Sequence, residues 1–212
     1  MTNLILVGGG GHCKSVIEVI KGLPQYNIVG ILDPCYNSNQ DQLVQDIPII
    51  GNDDDISRHI SSGRSFVVTV GQIKSPKIRI KLFGLIKSKG GKLPVIQAKT
   101  AYVSKDSAVG EGTVVLNNTV INCNCKIGIG TIINSGAIIE HDCVIGDYCH
   151  IAPGAVLTGN TKIDNHTFIG ANSVLVQGVH VGRESLIGAG SVVNKNVPDS
   201  QVWAGNPAQR IS

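Results

Sequence analysis

The 212-residue sequence has few aromatic side chains, 4% in all, with one Trp and one Met. It also has little charge: Asp, Glu, Lys and Arg together make 16%, and the formal net charge is +3. With 42% apolar residues, so little charge excludes a disordered or solvating tail and describes a globular chain. No run of Lys and Arg is long enough to form a basic patch, so the slight positive balance does not argue for nucleic acid. No stretch reaches the roughly 18 apolar residues of a membrane-crossing helix. The opening MTNLILV lacks the basic lead and long apolar run of a secretory signal. The expectation is a cytoplasmic protein whose six cysteines are reduced thiols and not a disulfide framework. What is plentiful is glycine, 26 residues, which suits a narrow, turn-rich β architecture.

Two grammars divide the chain. Residues 1–97 alternate strands with helices, which implies a small parallel sheet of Rossmann-like α/β type. The strands are predicted over 3–7, 27–33, 65–71 and 92–97, with helices over 12–23 and 75–90 and a loop over 34–50. From Val103 the period becomes six. Sixteen hexapeptides run over 103–198 without an insertion, each beginning with Val, Ile or Leu and each with Ser, Thr, Cys, Ala or Val fifth. Such a repeat predicts a parallel β-helix of about five three-sided coils, so residues 98–212 form the second domain with a short C-terminal tail. First positions fill the interior and fifth positions point inward where only small side chains fit. Second positions, such as Gly110, Gly128, Asn134, Gly146, Asp164 and Gly170, are expected to need φ > 0.

This phase answers a question raised by Cys123, Cys125, His141, Cys143, Cys149 and His150, which in isolation resemble a metal site. Cys125, Cys143 and Cys149 are all fifth-position residues, where cysteine packs as a small hydrophobe, and no Cys-x-x-Cys spacing occurs. No metal is therefore expected. His141 is a third-position residue, points outward, and lies between Glu140 and Asp142. A carboxylate beside an imidazole accepts its N–H, fixes the tautomer and raises its basicity, as a general base requires. Either acid could be the partner.

The hexapeptides and the ending VWAGNPAQRI (202–211) resemble the left-handed β-helix acyltransferases. With GGGGH (8–12), ILD (31–33) and NSGAIIEHDCVIGDYCH (134–150), the chain is similar to the two-domain PglD/NeuD-like sugar acetyltransferases. The resemblance implies a homotrimer that binds acetyl-CoA between neighbouring β-helices and acetylates the 4-amino group of a UDP-linked amino-deoxy sugar in bacterial glycan biosynthesis. It implies His141 as general base, Asp142 as its tuning acid, Gly159 as the N–H facing the thioester oxyanion, and Asn134 as an active-site amide. It implies acetyl-CoA contacts from His150, Ala171 and Ala189. It assigns the UDP-sugar to Gly10, Gly11, His12, Asp33 and Gly71, on a glycine cluster whose other reading is a tight strand-to-helix turn. Cys13 breaks the G-x-G-x-x-G pattern of dinucleotide folds. The alternatives are O-acetylation of sialic acid, a zinc-dependent γ-carbonic-anhydrase-like enzyme, and a non-catalytic trimer. The zinc enzyme wants a His-x4-His pair, and His12, His59, His141, His150, His166 and His180 contain none.

Overall fold

The computed structural model describes residues 1–40 and 42–212. In the first half, the apolar run of β1 (Thr2–Val7) is an interior strand, next to one edge of a five-stranded sheet, with Leu4, Ile5 and Leu6 wholly buried. The order is β3-β4-β2-β1-β5, with β2 at Tyr26–Leu32, β3 at Leu43–Val44, β4 at Ile47–Gly51 and β5 at Ser65–Val68. All pairings are parallel except β3 with β4. Helix α1 (Gly11–Lys21) buries Cys13, Val16, Ile17, Val19 and Ile20 on one face, the stripe that helical spacing foretells. Helices α2 (Ile56–Ser61) and α3 (Lys77–Ser88) complete the domain.

Two differences from expectation concern this half. Residues 43–51 form a short antiparallel pair where a loop was expected, because the left-handed Gln45 and Asp46 (φ 48° and 68°) turn β3 directly into β4. Of the strand expected over 92–97, Lys92 makes a single parallel bridge to Ser65 of the first sheet, and only Ile96–Gln97 forms a strand, which pairs with Val114–Val115 in the second half.

The second half is a left-handed β-helix of three flat faces, each rung contributing two-residue strands. Face one has eight strands, from Ile96–Gln97 up to the terminal hairpin Val202–Gly205 and Ala208–Arg210. Face two has six, from Tyr102–Val103 to Val192–Val193, and face three has five, from Ala108–Val109 to His180–Val181. Residues 18 apart stack in register from Ile96 to Val193, as in Ile132 with His150 and Ile138 with Val156, and the spacing shortens to 16 where Leu186 pairs with Val202. First-position Ile121, Ile133, Ile139, Ile151, Leu157 and Ile169 are fully buried, each worth about 1.5–3 kcal/mol of apolar burial.

Fifth positions prefer Ser, Thr and Cys for a reason beyond size. Their side chains donate to the second-position carbonyl of the next rung: Thr131 to Gly146 (3.0 Å), Ser173 to Gly188 (2.9 Å), Cys125 to Glu140 (3.1 Å) and Cys149 to Asp164 (3.1 Å). Burial pushes the Cys149 thiol up to about 12, so it stays a neutral donor.

In the hexapeptides from 109 to 192 the left-handed residue is the fourth, not the second. Asn118, Asn124, Asp142, Tyr148, Asn160 and Asn172 have φ between 49° and 62°. Second-position glycines answer to space instead. A Cβ on Gly128 would lie 2.5 Å from the carbonyl carbon of Gly146, and one on Gly170 would lie 2.5 Å from the nitrogen of Ala189. No helix among the described residues is long and apolar enough to cross a membrane.

Candidate functional site

The three corners of the β-helix divide the expected site. Corner one, between faces one and two, carries Asn134, Pro153, Ala171 and Ala189. Corner two, between faces two and three, carries His141, Asp142 and Gly159. Corner three leads back to face one, where His150 opens a strand.

At corner two, His141 Nδ1 and Asp142 Oδ2 are 2.8 Å apart, so Nδ1–H donates to the carboxylate and Nε2 is left as the free basic nitrogen. The hydrogen bond with Asp142 is the largest cause raising the His141 pKa, and the bond with His141 is the largest cause lowering that of Asp142. Glu140 is engaged elsewhere, accepting from Asn122 Nδ2 at 2.9 Å, so Asp142 is the partner. The imidazole lies over Gly159: a Cβ there would sit 2.7 Å from Nε2, so a larger residue would push the ring from this position. The Gly159 N–H donates to no group among the described residues. Cys123 occupies the same column one rung below and is an exposed free thiol.

Around corner one, a pocket of about 480 Å³ is lined by Gly11, His12, Ser15, Gly71, Gln72, Ile73, Asn134, His150 and Pro153. The glycine turn of the first domain thus meets Asn134 and His150 of the second. Gly10 caps α1 in an extended conformation, and neither Gly10 nor Gly11 has a heavy atom within 4 Å of where a Cβ would be. The start of the helix is therefore open to a ligand approaching its N–H groups. Asp33 Oδ2 accepts from Gly9 N of the glycine turn at 2.6 Å, while its Oδ1 accepts from Cys35 N of its own loop at 2.9 Å. It braces the glycine loop.

His150 is held at both ends. Nδ1–H donates to the Gln72 carbonyl and Nε2 accepts from Asn134 Nδ2 at 3.0 Å. Burial, reinforced by the charge of Arg79, pushes its pKa down to about 4, so it is neutral and aims the Asn134 amide. His12 is also neutral, its pKa lowered to about 3 chiefly by burial, and its Nε2 has no partner among the described residues.

Sequence reasoning missed the group that joins the halves. Arg79 is 2% exposed and donates to the carbonyls of Val68 (2.9 Å) and Val70 (2.7 Å) in the first domain and Gly130 (2.9 Å) in the β-helix. Gln72 Nε2 adds a bond to the Tyr148 carbonyl at 2.8 Å, and Phe83 meets Tyr148 edge-on at 5.4 Å. No periodicity flags an arginine whose partners are all carbonyls. The column of Pro153, Ala171 and Ala189 carries no side chain beyond a methyl or a ring, which leaves its backbone open to a long flexible ligand.

Residues 3–84 match the PglD N-terminal domain, and residues 124–159 and 160–195 match the bacterial transferase hexapeptide (six repeats). No curated protein matches the chain. Among solved structures, the chain is 30% identical to the H141N variant of perosamine N-acetyltransferase from Caulobacter crescentus, in complex with CoA and GDP-perosamine, with a TM-score of 0.92 over 100% of this chain and 98% of that one. It is 31% identical to the acetyltransferase domain of PglB from Neisseria gonorrhoeae in complex with acetyl coenzyme A, with a TM-score of 0.90 over 99% of this chain and 98% of that one. It is 26% identical to WeeI from Acinetobacter baumannii, with a TM-score of 0.86 over 100% of both chains.

Proposed function

Because the chain belongs to the left-handed β-helix sugar N-acetyltransferases that join a PglD N-terminal domain to hexapeptide repeats, we propose that it moves an acetyl group from acetyl-CoA to the 4-amino group of a nucleotide-linked amino-deoxy sugar, in glycan biosynthesis. The nucleotide is read as UDP, with GDP as the rival, since one relative was crystallised with GDP-perosamine. The observation that carries the mechanism is His141, with Nδ1 committed to Asp142 and Nε2 free over a glycine whose own N–H is unspent.

The amine nitrogen attacks the thioester carbonyl carbon as His141 Nε2 takes its proton. The Gly159 N–H donates to the oxyanion that forms. The intermediate then collapses, the C–S bond breaks, CoA leaves as thiolate, and the proton held on His141 can pass to it. A free amine is a competent nucleophile toward a thioester once positioned, so no covalent enzyme intermediate is needed. The sugar nucleotide occupies the pocket of Gly11, His12, Gly71 and Asn134, with Gly10 beside it and Asp33 bracing its glycine turn; His150, expected at the acetyl-CoA end, lines this same pocket and is read instead as an acceptor-side residue. The CoA arm runs up the backbone column of Ala171 and Ala189.

The pocket and His141 stand on different corners of one chain. A symmetric trimer, in which corner two of one subunit faces corner one of the next, brings them together. CoA release with acetyl-CoA and a panel of UDP- and GDP-linked 4-amino sugars, with sialic acid as the hydroxyl control, tests the function. Turnover only with sialic acid would replace it by O-acetylation.

A further inference from the structure

Two asparagines, Asn122 and Asn124, lie at the corner of His141 one rung below it, and Asn124 does something its backbone does not require. Asn124 has φ 57°, in the left-handed region that asparagine and glycine tolerate best, and this alone accounts for its residue type. Yet its side chain also reaches up one rung: Nδ2 donates to Asp142 Oδ1 at 2.6 Å. The other oxygen of the same carboxylate meets His141 Nδ1 at 2.8 Å. One rung-spanning bond therefore fixes the rotation of a carboxylate that is otherwise half exposed. Its neighbour Asn122 ties down Glu140 from below in the same way, at 2.9 Å.

We propose that Asn124 is a positioning residue: by holding Asp142 Oδ1 it presents Oδ2 to the His141 imidazole and so fixes the tautomer that leaves Nε2 free. The proposal deepens the general-base reading of His141 and rests on it for its catalytic meaning. The titratable groups around His141 are Asp142, Glu140 and the Cys125 thiol, all of which favour its charged form, with the Asp142 hydrogen bond the largest cause. Loss of the Asn124 amide acts in two opposed ways. It frees the carboxylate to rotate away, which weakens that bond. It also removes a donor competing for the carboxylate charge, which would strengthen it. Because an exposed charge pair is screened by water while an aligned hydrogen bond is not, lost alignment wins.

The test is Asn124→Gly. The fold tolerates it: Gly112, Gly130, Gly136 and Gly154 already occupy fourth positions with φ between 58° and 69°. Asn118→Gly makes the same change at φ 59°, at corner one, where no side-chain bond to a carboxylate exists among the described residues. Two readouts apply. Histidine-labelled unliganded protein, titrated by NMR, should show the His141 pKa lower and its Nδ1–H tautomer less populated in Asn124→Gly, and both unchanged in Asn118→Gly. The acid limb of kcat/KM should move to lower pH by the same amount, with kcat down about tenfold, the lower end of the scale for groups that orient a functional histidine. An unchanged His141 pKa and tautomer in Asn124→Gly would overturn the proposal, as would an equal shift in Asn118→Gly. The NMR readout needs no turnover, so it judges Asn124 even if His141→Ala stays active and the general-base reading falls.

Discussion

At the scale of single residues, the function turns on which nitrogen of which histidine is free. His141→Ala should lower turnover by about 10²–10⁴-fold, the usual loss with a general base. Acetyl-CoA affinity, measured by calorimetry, should barely change, since the imidazole faces the amine. The pH dependence has a definite sign. A general base works when neutral, and Asp142 raises the pKa of His141 above the ordinary histidine value. Activity should therefore fall as pH drops through a pKa higher than an isolated histidine would show. Asp142→Asn should move that limb to lower pH while costing less turnover than His141→Ala. A limb unmoved by Asp142→Asn would mean that another group titrates. The pairing of His141 with Gly159 was legible because residues 18 apart stack. The same count would have found Asn124 beneath Asp142. Arg79 was not legible, since its role depends on which carbonyls the two domains bring together.

At the scale of the rung, the period was legible and one of its causes was not. Apolar first positions mark the interior because nothing else survives there. The glycines in second position were read as answering to φ, whereas the structure gives that demand to the fourth and leaves the second a demand for space. Sequence alone cannot separate the two, since glycine satisfies both. The structure makes them separable by experiment. Gly128→Ala should destabilise by about 1–3 kcal/mol, because its Cβ meets the next rung's backbone, as overpacking does. Asn118→Gly at a fourth position should stay within about 0.5 kcal/mol. Urea melts of both variants check this. Likewise Cys149→Val should cost about 1 kcal/mol or more by leaving the Asp164 carbonyl without its donor, while Cys149→Ser should restore most of it.

At the scale of the molecule, two neutral histidines, His12 and His150, lie where the domains meet. Their folded-state pKa values are depressed to about 3 and about 4, against 6.5 when exposed. Below about pH 6.5 the unfolded chain takes up protons that the folded one refuses, so stability is full above that pH and declines as pH falls toward 4. Denaturant midpoints measured across this window should fall with acidity, and His150→Gln should flatten the slope. Assembly has its own test. Co-expression of His141→Ala with Asn134→Ala subunits should recover activity in mixed trimers, because some interfaces then join an intact His141 to an intact pocket. A site contained in one chain would show no recovery.

The bolt made by Arg79 and Gln72 between the first domain and the rungs of Gly130 and Tyr148 also bears on how such a gene can change length. Eighteen duplicated codons add one rung, about 4.8 Å, without altering phase. Inserted after Ser191, that rung merely raises the roof. Inserted between Gln97 and Gly130, it lifts the anchoring carbonyls away from a first domain still tethered at Ile96, and the joint comes undone. Inheritance can therefore tinker with the upper storeys of this tower while its lower ones stay fixed in number.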